Sequence, residues 1–380
     1  MSDLKDQIQN EIARQAKTAE LQSNTKERNA YINDRKSAFE LAQLTKNERE
    51  LKKAQSTNFG IMSEEEITNI QKNNLDYIEA AKERLLFINR SFNGIVPFFR
   101  KNLILIGGKT GEGKSTTVAN IVYTTMEQIN KKTGKKCRCL VITNEEKPED
   151  VYNRITCHRR GWQYTGHDKF TTEQVEEFHR SIPIMAKNGW LTVIDNSYGG
   201  AIGATTSIEG IQAIFDSLIA AEQWFDVILI DYYQNIKYSK KQPRLNEYEV
   251  QGMLAAMLDH YKNVYPAPIV LLAQVNPDRE NDPKPFEYRI KGRKVITDPS
   301  TFIMEMVANR AELKTDWIIH KSRFDGGVGA TVETGFERGC YMELTPEYVA
   351  ARAELTAARE AKHLETAIAK EPKKLEGKAK

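Results

Sequence analysis

Runs of consecutive apolar residues, rather than alternating ones, mark the middle of this chain. Leu103-Ile104-Leu105-Ile106, Val227-Ile228-Leu229-Ile230 and Ile269-Val270-Leu271-Leu272 are the clearest. Unbroken aliphatic runs of this length predict strands buried on both faces, as in a mostly parallel sheet covered by helices. Strands are expected at 103–106, 138–143, 191–194, 227–230, 269–273, 317–321 and 330–334. Helix-length segments lie between them, at 116–126, 148–159, 208–222 and 247–264. Alternation of strand and helix from about residue 100 to 345 predicts an α/β domain.

The flanking sequence has a different texture. No glycine precedes Gly60 and no proline precedes Pro97. Residues 1–62 are rich in Lys, Glu, Gln, Asn and Ala, with a narrow apolar stripe at Leu4, Ile8 and Ile12. They predict a charged α-helical arm, either solvated and partly disordered or docked on a partner or a neighbouring subunit. A second helical region, 63–94, opens on the capping-box pattern Ser63-Glu64-Glu65-Glu66. Ile67, Ile70, Leu75, Ile78 and Ala81 give it an apolar face. The α/β domain is expected over 95–346. Residues 347–380 read as a helix to about Lys370, then a short basic tail.

Composition narrows the class. With 40% hydrophobic and 28% charged residues over 380 positions, there is room for one large domain and a smaller appendage. The apolar stretches fall far short of the roughly 20 residues that span a bilayer, so no membrane partner is expected. The polar start Met1-Ser2-Asp3-Leu4 is not a secretory pattern. Cys137, Cys139, Cys157 and Cys340 form neither a disulfide framework nor a spaced metal-binding pair. A cytoplasmic protein is expected. A net charge of +3 does not announce a nucleic-acid partner, so that case rests on local charge.

Gly108, Lys109, Thr110, Gly111, Glu112, Gly113, Lys114 and Ser115 spell G-x-x-x-x-G-K-[ST] directly after the first apolar run, and Thr116 opens the helical segment that follows. Strand, glycine loop and helix is the context in which this motif cradles a triphosphate. Backbone N–H groups and the helix N-terminus make a positive nest for phosphate oxygens. Lys114 is expected to reach the β- and γ-phosphates and the Ser115 hydroxyl to hold Mg²⁺. ATP and Mg²⁺ are therefore the expected cofactors.

Phosphoryl transfer also needs a second metal anchor, a group that orients water, and charge against the transition state. Asp231 closes the 227–230 run and is the expected second Mg²⁺ anchor; Tyr232 follows it, so an adjacent carboxylate cannot be the base. Glu145, just beyond the 138–143 strand, is the expected base, with Glu146 second. That strand is expected to neighbour the phosphate-loop strand. Gln274 closes the 269–273 strand, where an amide can sense the γ-phosphate.

Two basic loops follow these strand ends. One carries Lys237, Tyr238, Lys240, Lys241 and Arg244. The other, 277–298, carries Arg279, Lys284, Arg289, Lys291, Arg293 and Lys294 with Phe286 and Tyr288. Cations interleaved with aromatics suit single-stranded nucleic acid, through phosphate contact and base stacking.

Together these parts resemble the C-terminal ATPase domain of bacterial and bacteriophage DnaB-type replicative helicases, in the RecA-like superfamily. The matching stretches are 106–116, 141–154, 227–236, 268–276 and 318–329, within roughly 95–345. Asp231-Tyr232-Tyr233-Gln234 looks like the family's Asp-Tyr-x-Gln signature, and Gln274-Val275-Asn276 like part of its Ser-Gln-Leu-Asn motif. Thr143-Asn144-Glu145-Glu146 stands where a family strand ends in its catalytic Glu. The segment from Lys321-Ser322-Arg323 looks like the Lys-x-Arg-x-Gly element.

The resemblance implies a RecA-like P-loop core in a homo-oligomeric ring, a hexamer, with ATP at subunit interfaces. Lys321 and Arg323 then enter the neighbour's site, Arg323 as the trans arginine finger. It also implies 5′→3′ translocation on single-stranded DNA at a replication fork, with unwinding of duplex. Replisome proteins, a loader and primase among them, are the partners to be weighed against this chain's own sequence, and a phage-encoded member would work in the host cytoplasm. There are departures. Polar Asn144 and Glu146 replace the Leu and Met of the family's Ser-Leu-Glu-Met, which leaves the choice between Glu145 and Glu146 open. The N-terminal region is shorter than the family's helical domain and has no Cys-rich primase module, so primase binding does not carry over. The helix 63–87 sits where the family places a linker helix. Two other readings stay open: a strand-exchange or filament ATPase, and a nucleotide-gated helicase adaptor or loader.

Overall fold

The computed structural model describes residues 63–165, 169–196, 205–236, 247–276, 284–290, 294–324, 327–354 and 357. The expected arm 1–62 and most of the tail lie outside these residues. So do Lys237, Lys240, Lys241, Arg244, Arg279, Lys291 and Arg293. The chain divides into two units, Met1–Lys72 and Asn73–Lys380. Of the first, only residues 63–72 are described. They open helix α1 (Glu64–Lys82), where the capping box is formed: Glu66 N–H donates to Ser63 Oγ at 3.2 Å, and Ser63 N–H to Glu66 Oε2 at 2.9 Å.

The second unit is the α/β domain. Its strands are β1 (Leu103–Gly108), β2 (Cys139–Thr143), β3 (Leu191–Ile194), β4 (Val227–Asp231), β5 (Ile269–Gln274), β6 (Phe302–Asn309), β7 (Lys314–Ser322), β8 (Thr331–Glu337) and β9 (Cys340–Met342). The helices that cover them are α2 (Lys114–Met126), α3 (Pro148–Arg160), α4 (Thr172–Lys187), α5 (Ile208–Ala220) and α6 (Glu247–Val264), with the single turn α7 (Phe286–Arg289) after β5. Residues 346–354 are helical. No described helix is long and apolar enough to cross a membrane.

The nine strands form one sheet in the order β3-β2-β4-β5-β1-β6-β7-β8-β9. Pairing is parallel from β3 to β6 and antiparallel from β6 to β9. The apolar runs are buried on both faces, as their unbroken pattern requires. Leu103, Leu105, Ile228, Ile230, Ile269 and Leu271 share one core with residues of α5 and α6. Ile104, Ile106, Val227, Leu229, Val270 and Leu272 share the other with residues of α2 and α3.

Three features differ from the sequence expectation. β2 pairs with β3 and β4, not with β1, so two strands separate the Glu145 strand from the phosphate-loop strand. Periodicity reports burial but not sheet order, and long crossovers let the two diverge. β6 and the three-residue β9 are absent from the expected strands, β6 because Glu305 interrupts its apolar run. So is α4 from the expected helices; it carries Pro183 inside a helix capped by Thr171 and Gln174.

Candidate nucleotide site

β1 delivers the chain to the phosphate loop at the C-terminal edge of the parallel strands, where open α/β sheets bind ligands. Gly113 caps α2 at φ 104° and ψ 29°, a left-handed conformation that glycine adopts without a Cβ clash. The free N–H groups and positive dipole end of α2 therefore belong to the loop. Lys114 Nζ donates to the carbonyls of Gly108 (3.3 Å) and Lys109 (3.1 Å). Burial pulls its ammonium below the usual lysine value, against the pull of Asp231, Glu145 and Glu112. Two contacts brace the loop from its sides. Lys109 N–H donates to Glu112 Oε2 at 2.6 Å, and the Arg310 guanidinium donates to Gly111 O at 2.7 Å. Arg310 sits in the β6–β7 turn, and no sequence motif singles it out.

Asp231 ends β4 facing this loop and is 3% exposed. Its Oδ2 accepts from Ser115 Oγ at 3.3 Å, while Oδ1 has no hydrogen-bond partner among the described residues. Burial, then the Glu146 and Glu145 carboxylates, push its acid up to about 7, against Ser115 and Lys114. A buried carboxylate with one unpartnered oxygen, next to a phosphate-loop hydroxyl, suits a hard divalent cation. Mg²⁺ takes one or two protein oxygens and completes its shell with water and phosphate. Among the described residues, no group of three His, Cys, Asp or Glu offers another metal site.

The two glutamates after β2 separate cleanly. Thr143 Oγ1 accepts the N–H groups of Glu145 (3.3 Å) and Glu146 (3.0 Å) and shapes the turn that projects them. Glu146 is drawn onto Arg154 at 2.5 Å, with both side chains 19% exposed. Glu145 is exposed and makes no side-chain hydrogen bond or ion pair with any described residue, yet its charge bears on Lys114, Asp231 and Tyr232. Of the two, Glu146 bears more strongly on Asp231.

Asn144, polar where the family resemblance has Leu, bridges β2 to β4. Its Nδ2 donates to Tyr232 O at 3.0 Å and its Oδ1 accepts Tyr232 N–H at 3.3 Å. Gln234 repeats the arrangement between β4 and β5, donating to Gln274 O (2.9 Å) and accepting Gln274 N–H (3.1 Å). Gln274 in turn donates from Nε2 to Thr110 Oγ1 of the phosphate loop. A row of amides thus runs along the strand ends to the loop. The sequence places Gln274 there. It gives Gln234 only as part of a recognised motif, without a role, and Asn144 only as a departure.

Lys321 and Arg323 lie elsewhere. Register pairs Gly108 with Met306 and Phe302 with Ser322, so the end of β7 sits four residues, roughly 13 Å, below the phosphate loop. Lys321 Nζ donates to the carbonyls of Thr297 (2.7 Å) and Asp298 (3.1 Å), and Arg323 to that of Asp298 (3.0 Å). Within one chain these cations are at the opposite edge from the site. Arg289, expected as a DNA contact, points inward instead: it is forked onto Glu305, the two side chains 11% and 4% exposed.

The fold and the loop together define a P-loop protein of RecA-like architecture. Within that class, a model of the DnaB-like helicase C terminal domain matches residues 87–341, and the chain belongs to that family. Its members are nucleotide-hydrolysing helicases. Two solved structures share the fold at 15% sequence identity and a TM-score of 0.56 each. One, an ATPase domain, is covered over 99% of its length by 73% of this chain. The other, "The Structure Of A DnaB-Like Replicative Helicase And Its Interactions With Primase", is covered over 72% by 80% of this chain. No curated protein sequence matches the chain.

Proposed function

We propose that this protein is an ATP-driven replicative DNA helicase that assembles as a ring, moves 5′→3′ on single-stranded DNA and separates duplex. One observation carries the reading: in a DnaB-like chain, a phosphate loop faces both the half-partnered carboxylate of Asp231 and the unengaged carboxylate of Glu145. Ser115 and Asp231 would hold Mg²⁺, which when bound neutralises charge on the β- and γ-phosphates.

Lys114 leaves the loop carbonyls for phosphate oxygens. Glu145 orients the attacking water and takes its proton. Gln274 reads the γ-phosphate and passes its loss along the amide row to the segments after β4 and β5, whose basic residues hold the strand. Lys321 and Arg323, remote from their own loop, serve the site of a neighbouring copy, and that need supports a ring. An arginine finger in this position is worth about 10³–10⁵ in rate. Replisome partners such as a loader or a primase belong to the same reading, the latter suggested by the relative solved for its interactions with primase.

The deciding experiment uses a forked duplex with one 5′ and one 3′ single-stranded tail, forks lacking either tail, and Lys114→Ala as control. ATP-dependent separation that needs the 5′ tail and disappears in the mutant is the expected result. Strong DNA-stimulated hydrolysis without separation would transfer the reading to a strand-exchange ATPase. A wild-type protein without DNA-stimulated hydrolysis would leave an adaptor or loader.

A further inference from the structure

Glu305 is a charged residue in the middle of a buried strand, 3% exposed. Arg289 forks onto it, Nη1 to Oε1 at 2.8 Å and Nη2 to Oε2 at 2.6 Å, and His320 Nε2 lies 3.0 Å from Oε2. The His320 ring stacks on Phe286, with centroids 4.3 Å apart and planes 6° from parallel. Phe286 is pressed against the strand that feeds the phosphate loop: a Cβ at Gly107 would come within 2.4 Å of its ring. Asn276 N–H donates to Arg289 O at 2.8 Å, and Val275 bridges to Ile290. The short stem Phe286–Ile290 therefore touches β1, β6 and β7 and the chain leaving β5.

A β-bulge gives β7 a double grip. Met304 pairs with Ile319 and Ile303 with Lys321, which leaves His320 as the extra residue. A bulge re-aims side chains, and here His320 and Lys321 reach the same side of the sheet. His320 holds the stem through Glu305 and Phe286. Lys321 holds Thr297 and Asp298, at the far end of the same connection.

We propose that Glu305 and His320 are positioning residues that clamp the stem of the second basic loop to the strand bearing Lys321 and Arg323, so that strand binding is coupled to hydrolysis; this rests on the helicase reading above. A saturated, close-packed polar cluster moves as a unit. A shift of the stem is therefore felt at Gly107, under the phosphate loop, and at the cations offered to the neighbour. His320 makes no hydrogen bond to the phosphate loop, so basal turnover does not need it; Glu305 reaches the loop only through the field its charge exerts on Glu112.

His320→Phe keeps a ring on Phe286 and removes the hydrogen bond to Glu305. Glu305→Gln keeps the shape and removes the charge. ATP hydrolysis is measured in both with and without a polythymidine single strand, alongside melting temperature. In His320→Phe, basal kcat and the KM for ATP stay within about twofold of wild type while stimulation by the strand falls about tenfold. Undiminished stimulation in the folded variants overturns the proposal, and so does an equal fall in basal and stimulated turnover, the mark of a merely structural residue. If the wild type itself shows no stimulation, the helicase reading fails separately, and hydrogen exchange decides the clamp. Faster exchange at the Asn276 and Ile290 amides in His320→Phe, with β4 unchanged, supports it; unchanged exchange sinks it.

Discussion

Asp231 and Glu305 are carboxylates of one sheet, each 3% exposed, and they have opposite fates. Glu305 has both oxygens engaged by Arg289 and His320. Burial pushes its acid up, but the hydrogen bonds from His320 and Arg289 outweigh burial and leave it below the usual glutamate value. Asp231 has one weak hydroxyl partner and one bare oxygen, and burial with two neighbouring glutamates drives it up to about 7. Burial alone therefore does not mark a functional acid. What separates the two is an unsatisfied oxygen placed beside the phosphate loop, because a buried charge without partners destabilises the fold until a ligand completes it.

The sharpest way to break this contrast is to neutralise each acid in turn. Asp231→Asn should lower ATP hydrolysis by about 10³-fold or more, through loss of metal-borne charge stabilisation. The same change should raise the melting temperature of the nucleotide-free protein, since it removes an uncompensated buried charge. Calorimetry without nucleotide and a steady-state assay test the two halves separately. A nucleotide-free variant that melts below wild type would show that the bare oxygen has a structural partner. Next in size is the glutamate pair. Glu145→Gln should cost roughly 10²-fold or more in turnover, the usual worth of a positioned base. Glu146→Gln should cost less and act mainly by loosening Arg154. A reversed ranking in the same assay would transfer the base role to Glu146.

What could be read from the chain alone follows the same physical divide. The phosphate loop is legible because its chemistry lies in eight consecutive residues between a strand and a helix. The parallel strands are legible because burial on both faces leaves unbroken apolar runs. Glu305 hides β6, since its apolar run breaks at a charge whose partners are 16 and 15 residues away in Arg289 and His320. For the same reason Arg289 reads as a surface cation in a basic loop. The edge on which Lys321 and Arg323 lie depends on an antiparallel return that no local pattern encodes. Asn144 and Gln234 are side-chain amides engaging backbone of a neighbouring strand end, and strand order is invisible to periodicity.

The saturated acid predicts the opposite stability change. Glu305→Gln removes the carboxylate charge that Arg289 forks onto, and breaking a buried pair costs about 3–5 kcal/mol. Urea unfolding at pH 7 measures it, with the midpoint falling while the slope is kept. A loss below about 1 kcal/mol, the range of an exposed pair, would place Glu305 among surface ion pairs and erase its contrast with Asp231.

The smallest expected effect concerns a half-buried titratable group that resembles Glu305 in being engaged. His158 lies 2.9 Å from Cys340 Sγ through Nδ1 and packs edge-on against Tyr123. Burial holds its imidazole down to about 4, below the ordinary value of 6.5. Between those values the unfolded chain binds a proton that the folded chain does not, so stability rises with pH through this window. The contribution is complete above about pH 6.5 and is lost as pH falls toward 4. After allowance for residual exposure it amounts to about 2 kcal/mol. His158→Gln, which does not titrate, should flatten the acid limb when urea midpoints at pH 7 and pH 5 are compared. An unchanged pH dependence would show that His158 takes up its proton as readily in the folded protein as in the unfolded chain, with its ring open to solvent rather than held by Cys340 and Tyr123.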